Sequence, residues 1–222
     1  MFRQLLAAGA AITLVLSPSL TRAEDAPVQA PRVYQQVDFN VNEDRDNILF
    51  LDLSDGGRVA IRLMPDWAPH HVERIKQLAR QGFYDGVIFH RVIEGFMAQT
   101  GDPTGTGTGG SSMPDLEAEF NPMPHLRGTV SMARAQDKNS ANSQFFIVFY
   151  PRFSLDREYT NFGRVIAGMQ YVDAIARGEP PANPTRILQA SIASDNKAPP
   201  SPAQSVPADS ITADMLSVPI NQ

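Results

Sequence analysis

The sequence contains no cysteine. That excludes disulfides, thiol nucleophiles and cysteine-ligated zinc, and it suits a compartment in which stray thiols would oxidise. No block of basic residues appears either, and the formal net charge is −5, which argues against nucleic acid or an anionic membrane as partner. Long hydrophobic runs are also missing. The one candidate, Leu5 to Leu16, falls short of the roughly 20 apolar residues a spanning helix needs.

That run has another reading. Arg3 precedes it, Ser17-Pro18 breaks it, and Thr21-Arg22-Ala23 places small residues three and one before a cut. Residues 1–23 therefore read as a secretory signal cleaved after Ala23. The mature chain is expected in a periplasm or outside the cell, free of the membrane. Residues 24–46 read as a polar N-terminal extension that either packs on the domain or stays mobile. Residues 195–222, with Pro199, Pro200, Pro202 and Pro207 close together, read as a disordered Pro/Ala/Ser-rich tail, because they bury too little apolar surface to offset their ordering entropy.

The folded body is expected over residues 47–194. Ile48 to Leu53 and Arg58 to Leu63, joined by Ser54-Asp55-Gly56-Gly57, read as a hairpin in which Val59, Ile61 and Leu63 face inward. Pro69 opens a helix whose apolar face carries Val72, Ile75, Leu78 and Ala79, and Gly82 stops it. Further strands are expected at Val87 to Val92, Met97 to Thr100, Gly128 to Arg134, Gln144 to Phe149, Asn161 to Ile166 and Arg186 to Ser194. A second helix is expected from Met169 to Arg177. Strands in such excess over helices predict a mainly β fold: a closed, antiparallel, eight-stranded barrel capped by two α-helices.

Several chemical signals fail on inspection. Gly105-Thr106-Gly107-Thr108-Gly109-Gly110 resembles a phosphate cradle, but no Lys-Ser/Thr follows, so a mobile surface loop is expected. His70 and His71 are adjacent on a helix, point about 100° apart, and cannot share a metal as i,i+4 pairs do. His125, between Pro124 and Leu126, falls in a loop. Ser131 lacks the G-x-S-x-G setting of a hydrolase nucleophile. Asp115, Glu117 and Glu119 alternate as an exposed acidic loop would. No metal site and no cofactor are expected.

Two runs remain. Phe89-His90-Arg91-Val92-Ile93-Glu94-Gly95-Phe96-Met97-Ala98-Gln99 sets one permanent cation near a large apolar pair and an amide. Ser131-Met132-Ala133-Arg134-Ala135, with Asn142-Ser143-Gln144-Phe145-Phe146-Ile147-Val148, adds more of the same. Singly, each residue is as well explained by core packing or an ordinary surface arginine. Strand alternation requires Phe145 and Phe146 to face opposite sides, one into the core and the other onto a surface groove.

In order and spacing, however, these runs resemble the cyclophilin family of peptidyl-prolyl cis–trans isomerases. The family hallmark F-H-R-[VI]-I-x-G-F-M-x-Q-x-G-D stands at Phe89 to Asp102, and S-M-A-x-A with S-Q-F-F-I stands at Ser131 to Ala135 and Ser143 to Ile147. Weaker matches flank them at Gly82 to Gly86 and Phe162 to Val165. The resemblance implies that Arg91 is the catalytic arginine and that Phe96, Met97, Phe146 and Leu155 seat a proline ring. It further implies that Gln99 holds the substrate backbone, that Gln144 lines the groove, and that Ala133 and the backbone of Arg134 form the edge along which a peptide lies. Two positions depart from the pattern of eukaryotic members: Ser154 stands where they carry tryptophan, and Tyr159 where they carry histidine. Phe153 would fill the gap only in a rearranged loop.

An X-Pro amide rotates over a barrier of about 18–20 kcal/mol, so uncatalysed isomerisation takes tens of seconds or longer. The barrier comes from resonance between amide nitrogen and carbonyl. A guanidinium reaching the prolyl nitrogen or its own carbonyl weakens that resonance while apolar side chains hold the ring. The expected function is thus isomerisation of Xaa-Pro segments in exported proteins, by a monomer. The alternative is a proline-peptide-binding chaperone or scaffold module with little turnover. A hollow small-ligand carrier is disfavoured, because the strands carry large inward side chains. Losing the rim tryptophan removes apolar contact and an indole donor, so cyclosporin-type macrocycles should bind weakly; titration calorimetry returning nanomolar affinity would contradict this.

Overall fold

The computed structural model describes residues 33–201 of the 222-residue chain. The signal at residues 1–23, the first part of the N-terminal extension and most of the C-terminal tail lie outside the described residues. Strands β1 (Ile48–Leu53) and β2 (Arg58–Leu63) form the expected hairpin, followed by helix α1 (Pro69–Arg80). Then come β3 (Arg91–Ile93), β4 (Met97–Thr100), β5 (Thr129–Met132), β6 (Phe145–Val148), β7 (Asn161–Ala167), helix α2 (Met169–Ala174) and β8 (Ile187–Ile192). All ladders are antiparallel, and the eight strands run in the order β3-β4-β6-β5-β7-β2-β1-β8.

The stretch between α1 and β3 meets the start of β8 through isolated bonds, not a full ladder. Gly86 donates to the carbonyl of Ile187 at 2.7 Å, Ile187 to Val87 at 2.9 Å and Phe89 to Thr185 at 2.9 Å. The pairing there is one bridge, Ile88 with Arg186, and the register breaks before the next bridge, Val92 with Gly178, so the expected strand from Val87 to Val92 shrinks to Arg91–Ile93. Helix α2 likewise ends three residues early. Ile175 is extended at φ −53, ψ 129, and the chain leaves the helix there to reach β3, where Val92 and Gly178 exchange hydrogen bonds of 2.8 and 3.0 Å.

The interior is solid. Leu51, Val59, Ile61, Leu63, Val130, Phe145, Ile147 and Phe162 fill it, closed by Val72, Ile75 and Leu78 of α1 and Val172 of α2, all essentially without exposure. Tyr84, Phe145 and Phe162 meet edge to face, with centroid separations of 5.6 and 6.2 Å, the arrangement that ring quadrupoles favour. A carrier barrel is excluded by this filling.

Three polar contacts tie loops to this body, and each corrects an expectation. Arg62 alternates outward on β2 yet is only 2% exposed, because the described part of the N-terminal extension wraps it. Its guanidinium donates to the carbonyls of Asp38, Asn40, Glu43 and Asp44 at 2.7–3.0 Å, and Trp67 Nε1 donates to Gln35 at 3.0 Å. The glycine-rich loop is not a free surface loop. It folds around the buried Asp102, whose carboxylate accepts backbone N–H bonds from Thr104, Thr106, Gly107 and Gly109 at 2.6–3.1 Å. A Cβ at position 109 would lie 2.2 Å from Asp102 Oδ1, so glycine is needed for that approach. The loop does cradle an anion, but the anion is the chain's own. Burial pushes the Asp102 carboxyl up, yet the Thr104 hydroxyl and these amides outweigh it and hold it at about 2.

Glu119 is not part of an exposed acidic loop. Helix α1 has Ala68 at its N-cap and no local side-chain cap. Glu119 supplies one from a distance, accepting from the backbone N–H of His70 and His71 at 3.3 and 3.1 Å and from their Nδ1 atoms at 2.8 and 2.7 Å. Burial raises its carboxyl, but the His71 and His70 bonds prevail and hold it at about 2, against an ordinary 4.5. A folded pKa below the unfolded one stabilises fully above the unfolded value and fades as pH falls through the folded one. Glu119→Gln should therefore lower urea-unfolding stability by about 1–3 kcal/mol at neutral pH, and the gap from wild type should close between pH 4.5 and about 2.

Candidate active site

Register across the sheet builds the site. Arg91 lies opposite Gln99, Gln99 opposite Phe146, and Phe146 opposite Ser131. Cross-strand partners share a face, so these four side chains form one row on the outside of the barrel. Strands are about 4.8 Å apart, which puts Arg91 and Phe146 roughly 10 Å apart along it. The alternate residues Val92, Ala98, Phe145 and Ile147 point into the core, as period-two alternation demands.

Beside the row, Met97, Phe146 and Val148 form an apolar cluster separate from the core, bordered by Ile93, Phe96, Ala133, Leu155 and Tyr159. Every apolar residue expected to seat a proline ring is in it. Ile93 and Val148 belong to it too and were not anticipated, although their two-residue spacing from Arg91 and Phe146 places them on the same face. Tyr159 meets Phe146 edge to face at 5.6 Å, and the Arg134 guanidinium stacks on Tyr159 at 4.7 Å. Tyr159 thus walls the pocket at one departing position. At the other, Phe153 does not fill the gap: it is 63% exposed and turned to solvent.

The polar side of the site is a chain of amides. Gln99 Nε2 donates to Gln144 Oε1 at 2.9 Å, and Gln144 Nε2 donates to the carbonyls of Gly107 and Gly109 at 3.0 and 2.8 Å. The Asp102 nest therefore fixes the loop that orients both glutamines. A groove of about 520 Å³ opens here, lined by Gln99, Gly109, Ala133, Arg134, Asn142 and Gln144 among others. Ala133 donates its N–H to Gln144 at 2.9 Å, after which the two strands diverge. Among the described residues, the backbone N–H and C=O of Arg134 then have no partner, which leaves an edge available to an extended peptide. The Arg134 side chain is occupied, donating to the Glu158 and Ala135 carbonyls.

Arg91 is 41% exposed, and its Nε donates to Glu179 Oε2 at 2.8 Å. Among the described residues its two terminal nitrogens have no hydrogen-bond partner, so both remain available as donors. Phe96 carries the Arg152 guanidinium 5.1 Å above its ring.

Beneath Phe146, Ser131 Oγ lies 2.8 Å from His125 Nε2, and His125 Nδ1 lies 2.8 Å from Asp156 Oδ1. The order matches a hydrolase triad, but Ser131 and His125 are wholly buried, so no substrate reaches the hydroxyl. The line instead pins the Leu155 turn to β5. Burial pushes the His125 imidazole down, against the pull of Asp156. His125 does lie between elements, as its prolines suggested, but as an anchor. Among the described residues no three His, Asp or Glu side chains gather as a metal site would require.

A family model for "Cyclophilin type peptidyl-prolyl cis-trans isomerase/CLD" matches residues 49–192. The chain belongs to the cyclophilin family. Among its relatives, "Probable peptidyl-prolyl cis-trans isomerase" of Brucella suis is 49% identical over 170 residues, covering 69% of this chain and 86% of that one. A cyclophilin crystal structure from Hirschia baltica superposes with TM-score 0.64 at 31% identity, covering 70% of this chain and 77% of the other. Another, from Cryptosporidium parvum, was crystallised in the presence of the dipeptide Ala-Pro and gives TM-score 0.61 at 30% identity, covering 65% and 98%. This cyclophilin is an isomerase of peptidyl-prolyl bonds.

Proposed function

We propose that the isomerisation takes place on the outer row, with Arg91 as the catalytic group. Phe96, Met97, Phe146, Leu155 and Tyr159 seat the proline ring. Gln99 and Gln144 hold the substrate backbone, and Ala133 with the Arg134 backbone lines the edge beside the preceding residues. The observation that carries this reading is the register Arg91–Gln99–Phe146, which puts a permanent cation, an amide and a ring-binding surface in one line. Rotation needs the amide nitrogen to lose its conjugation, and the free Arg91 fork is an obligate donor for the charge that then develops. One donor that tightens only in the transition state contributes about 2.7–4 kcal/mol, or 10²–10³ in rate.

NMR exchange spectroscopy on a short Xaa-Pro peptide tests the assignment. Arg91→Ala should lower kcat/KM by about 10²–10³, and Arg91→Lys should recover little, since a point charge lacks the fork. Activity should be nearly flat from about pH 7 to 9, because rotation about the bond transfers no proton and burial pushes the His90 and His125 imidazoles down. A bell-shaped profile, or an Arg91→Ala variant as fast as wild type, would refute the mechanism.

The setting we infer is a periplasm or the cell exterior, where the enzyme, as a monomer free of nucleic acid and membrane, acts on Xaa-Pro segments of exported proteins. Arg3, the apolar run to Leu16, the Thr21-Arg22-Ala23 cleavage pattern and the lack of cysteine support it. Among the described residues no helix is long and apolar enough to cross a membrane. Mass spectrometry of the protein expressed in a Gram-negative host should find a mature chain starting at Glu24 in the periplasmic fraction; an uncut chain confined to the cytosol would overturn the inference.

A further inference from the structure

The row that carries Arg91 does not end at β3. Val92 and Gly178 exchange two backbone hydrogen bonds across an antiparallel bridge. One step along that pairing sets Glu179 directly opposite Arg91, on the same face. Glu179, in the bend beside this bridge, thus extends the row Arg91, Gln99, Phe146 past the sheet edge, and its contact is the 2.8 Å bond from Arg91 Nε to Glu179 Oε2.

We propose that Glu179 is the positioning residue for Arg91: its carboxylate holds Nε, and so turns the remaining edge of the guanidinium toward the bound prolyl bond. The inference rests on the reading of Arg91 as the catalytic group. A guanidinium is planar, so fixing Nε at one edge sets the plane and direction of Nη1 and Nη2. Without a partner, an exposed arginine on its flexible stem would spread over several rotamers, each lost on reaching the transition state.

The surroundings fit an aiming device better than a stabilising ion pair. Arg91 and Glu179 are 41% and 53% exposed, a setting in which ion pairs add little to folding stability. The backbone that carries the carboxylate is nevertheless tightly turned. Gly178 sits at φ 141, and a Cβ there would come within 2.6 Å of Pro181 Cα, so the turn is folded tightly on itself. Arg177, the nearest other cation on that segment, is committed elsewhere: its Nε donates to Glu94 at 2.7 Å and its Nη1 to the Ile175 carbonyl. Glu179 is left to Arg91 alone among the described residues.

The test compares Glu179→Ala, Glu179→Gln, Arg91→Ala and the Arg91→Ala/Glu179→Ala double variant in the full chain, with kcat and KM measured separately on a short Xaa-Pro peptide. Glu179→Ala should lower kcat about tenfold and change KM less than about twofold. Glu179→Gln keeps an acceptor oxygen and should recover most of that loss, whereas a merely structural role predicts no such rescue. In the Arg91→Ala background, Glu179→Ala should have no further effect, since a residue acting through Arg91 has nothing left to aim. The Arg91 Nε–H signal in ¹⁵N NMR should move on Glu179→Ala. A wild-type kcat in Glu179→Ala, or an equal further loss in the double variant, would overturn the proposal. If Arg91→Ala alone stays fully active, the catalytic assignment of Arg91 fails instead; loss in Arg91→Ala with none in Glu179→Ala defeats only the role of Glu179.

Discussion

The site depends on one constraint, the alternation of side chains across a sheet whose inner face is already full. Phe145 and Ile147 fill the barrel, so Phe146 and Val148 must face outward. The same parity on β3 and β4 sends Val92 and Ala98 inward and leaves Arg91, Ile93, Met97 and Gln99 outside. A solid core thus does more than stabilise the fold: it fixes the register, and register places Arg91, Gln99 and Phe146 in one line. Slipping β6 by one residue would expose Phe145 and turn Phe146 inward, and slipping β3 would bury Arg91, neither of which the core can accommodate.

A short row on a convex surface needs walls, and loops supply them. Each loop is tied down by satisfying polar groups that would otherwise be buried without partners. Asp102 collects the amides of the glycine-rich loop, which in turn orients Gln144 and Gln99. His125, between Ser131 and Asp156, anchors the turn that presents Leu155. Neither device touches a substrate, yet each decides where a groove residue points. The same principle acts on the far side, where Arg62 gathers the extension and Glu119 caps α1.

Catalysis of a rotation places few demands on such a scaffold. No bond is broken, so no nucleophile or metal is required, and a single donor that strengthens as conjugation is lost is enough. What matters is aim, because a hydrogen bond misdirected by a fraction of an ångström in the transition state contributes little. The Glu179–Arg91–Gln99 alignment meets that need at the end of a sheet, where backbone pairing is short and a side-chain contact must do what a longer ladder would.

Much of this was legible in the chain. The hairpin, the inward face of α1 and the opposite facing of Phe145 and Phe146 follow from local periodicity, which depends only on residues near in sequence. The residues of the two runs around Arg91 and Phe146 come together on one face of the sheet. Other features had no local signal. Glu179 lies 88 residues from Arg91, Glu119 lies 48 from His71, and Arg62 is buried by carbonyls at least 18 residues away. Charge and alternation marked Glu119 as part of an exposed loop and Arg62 as on the outward side of its strand, and said nothing of a partner. A side chain's neighbours along the chain set which face it occupies. Only the folded chain sets what stands opposite that face, and here that decided which acid caps α1, which arginine is buried and which acid meets Arg91.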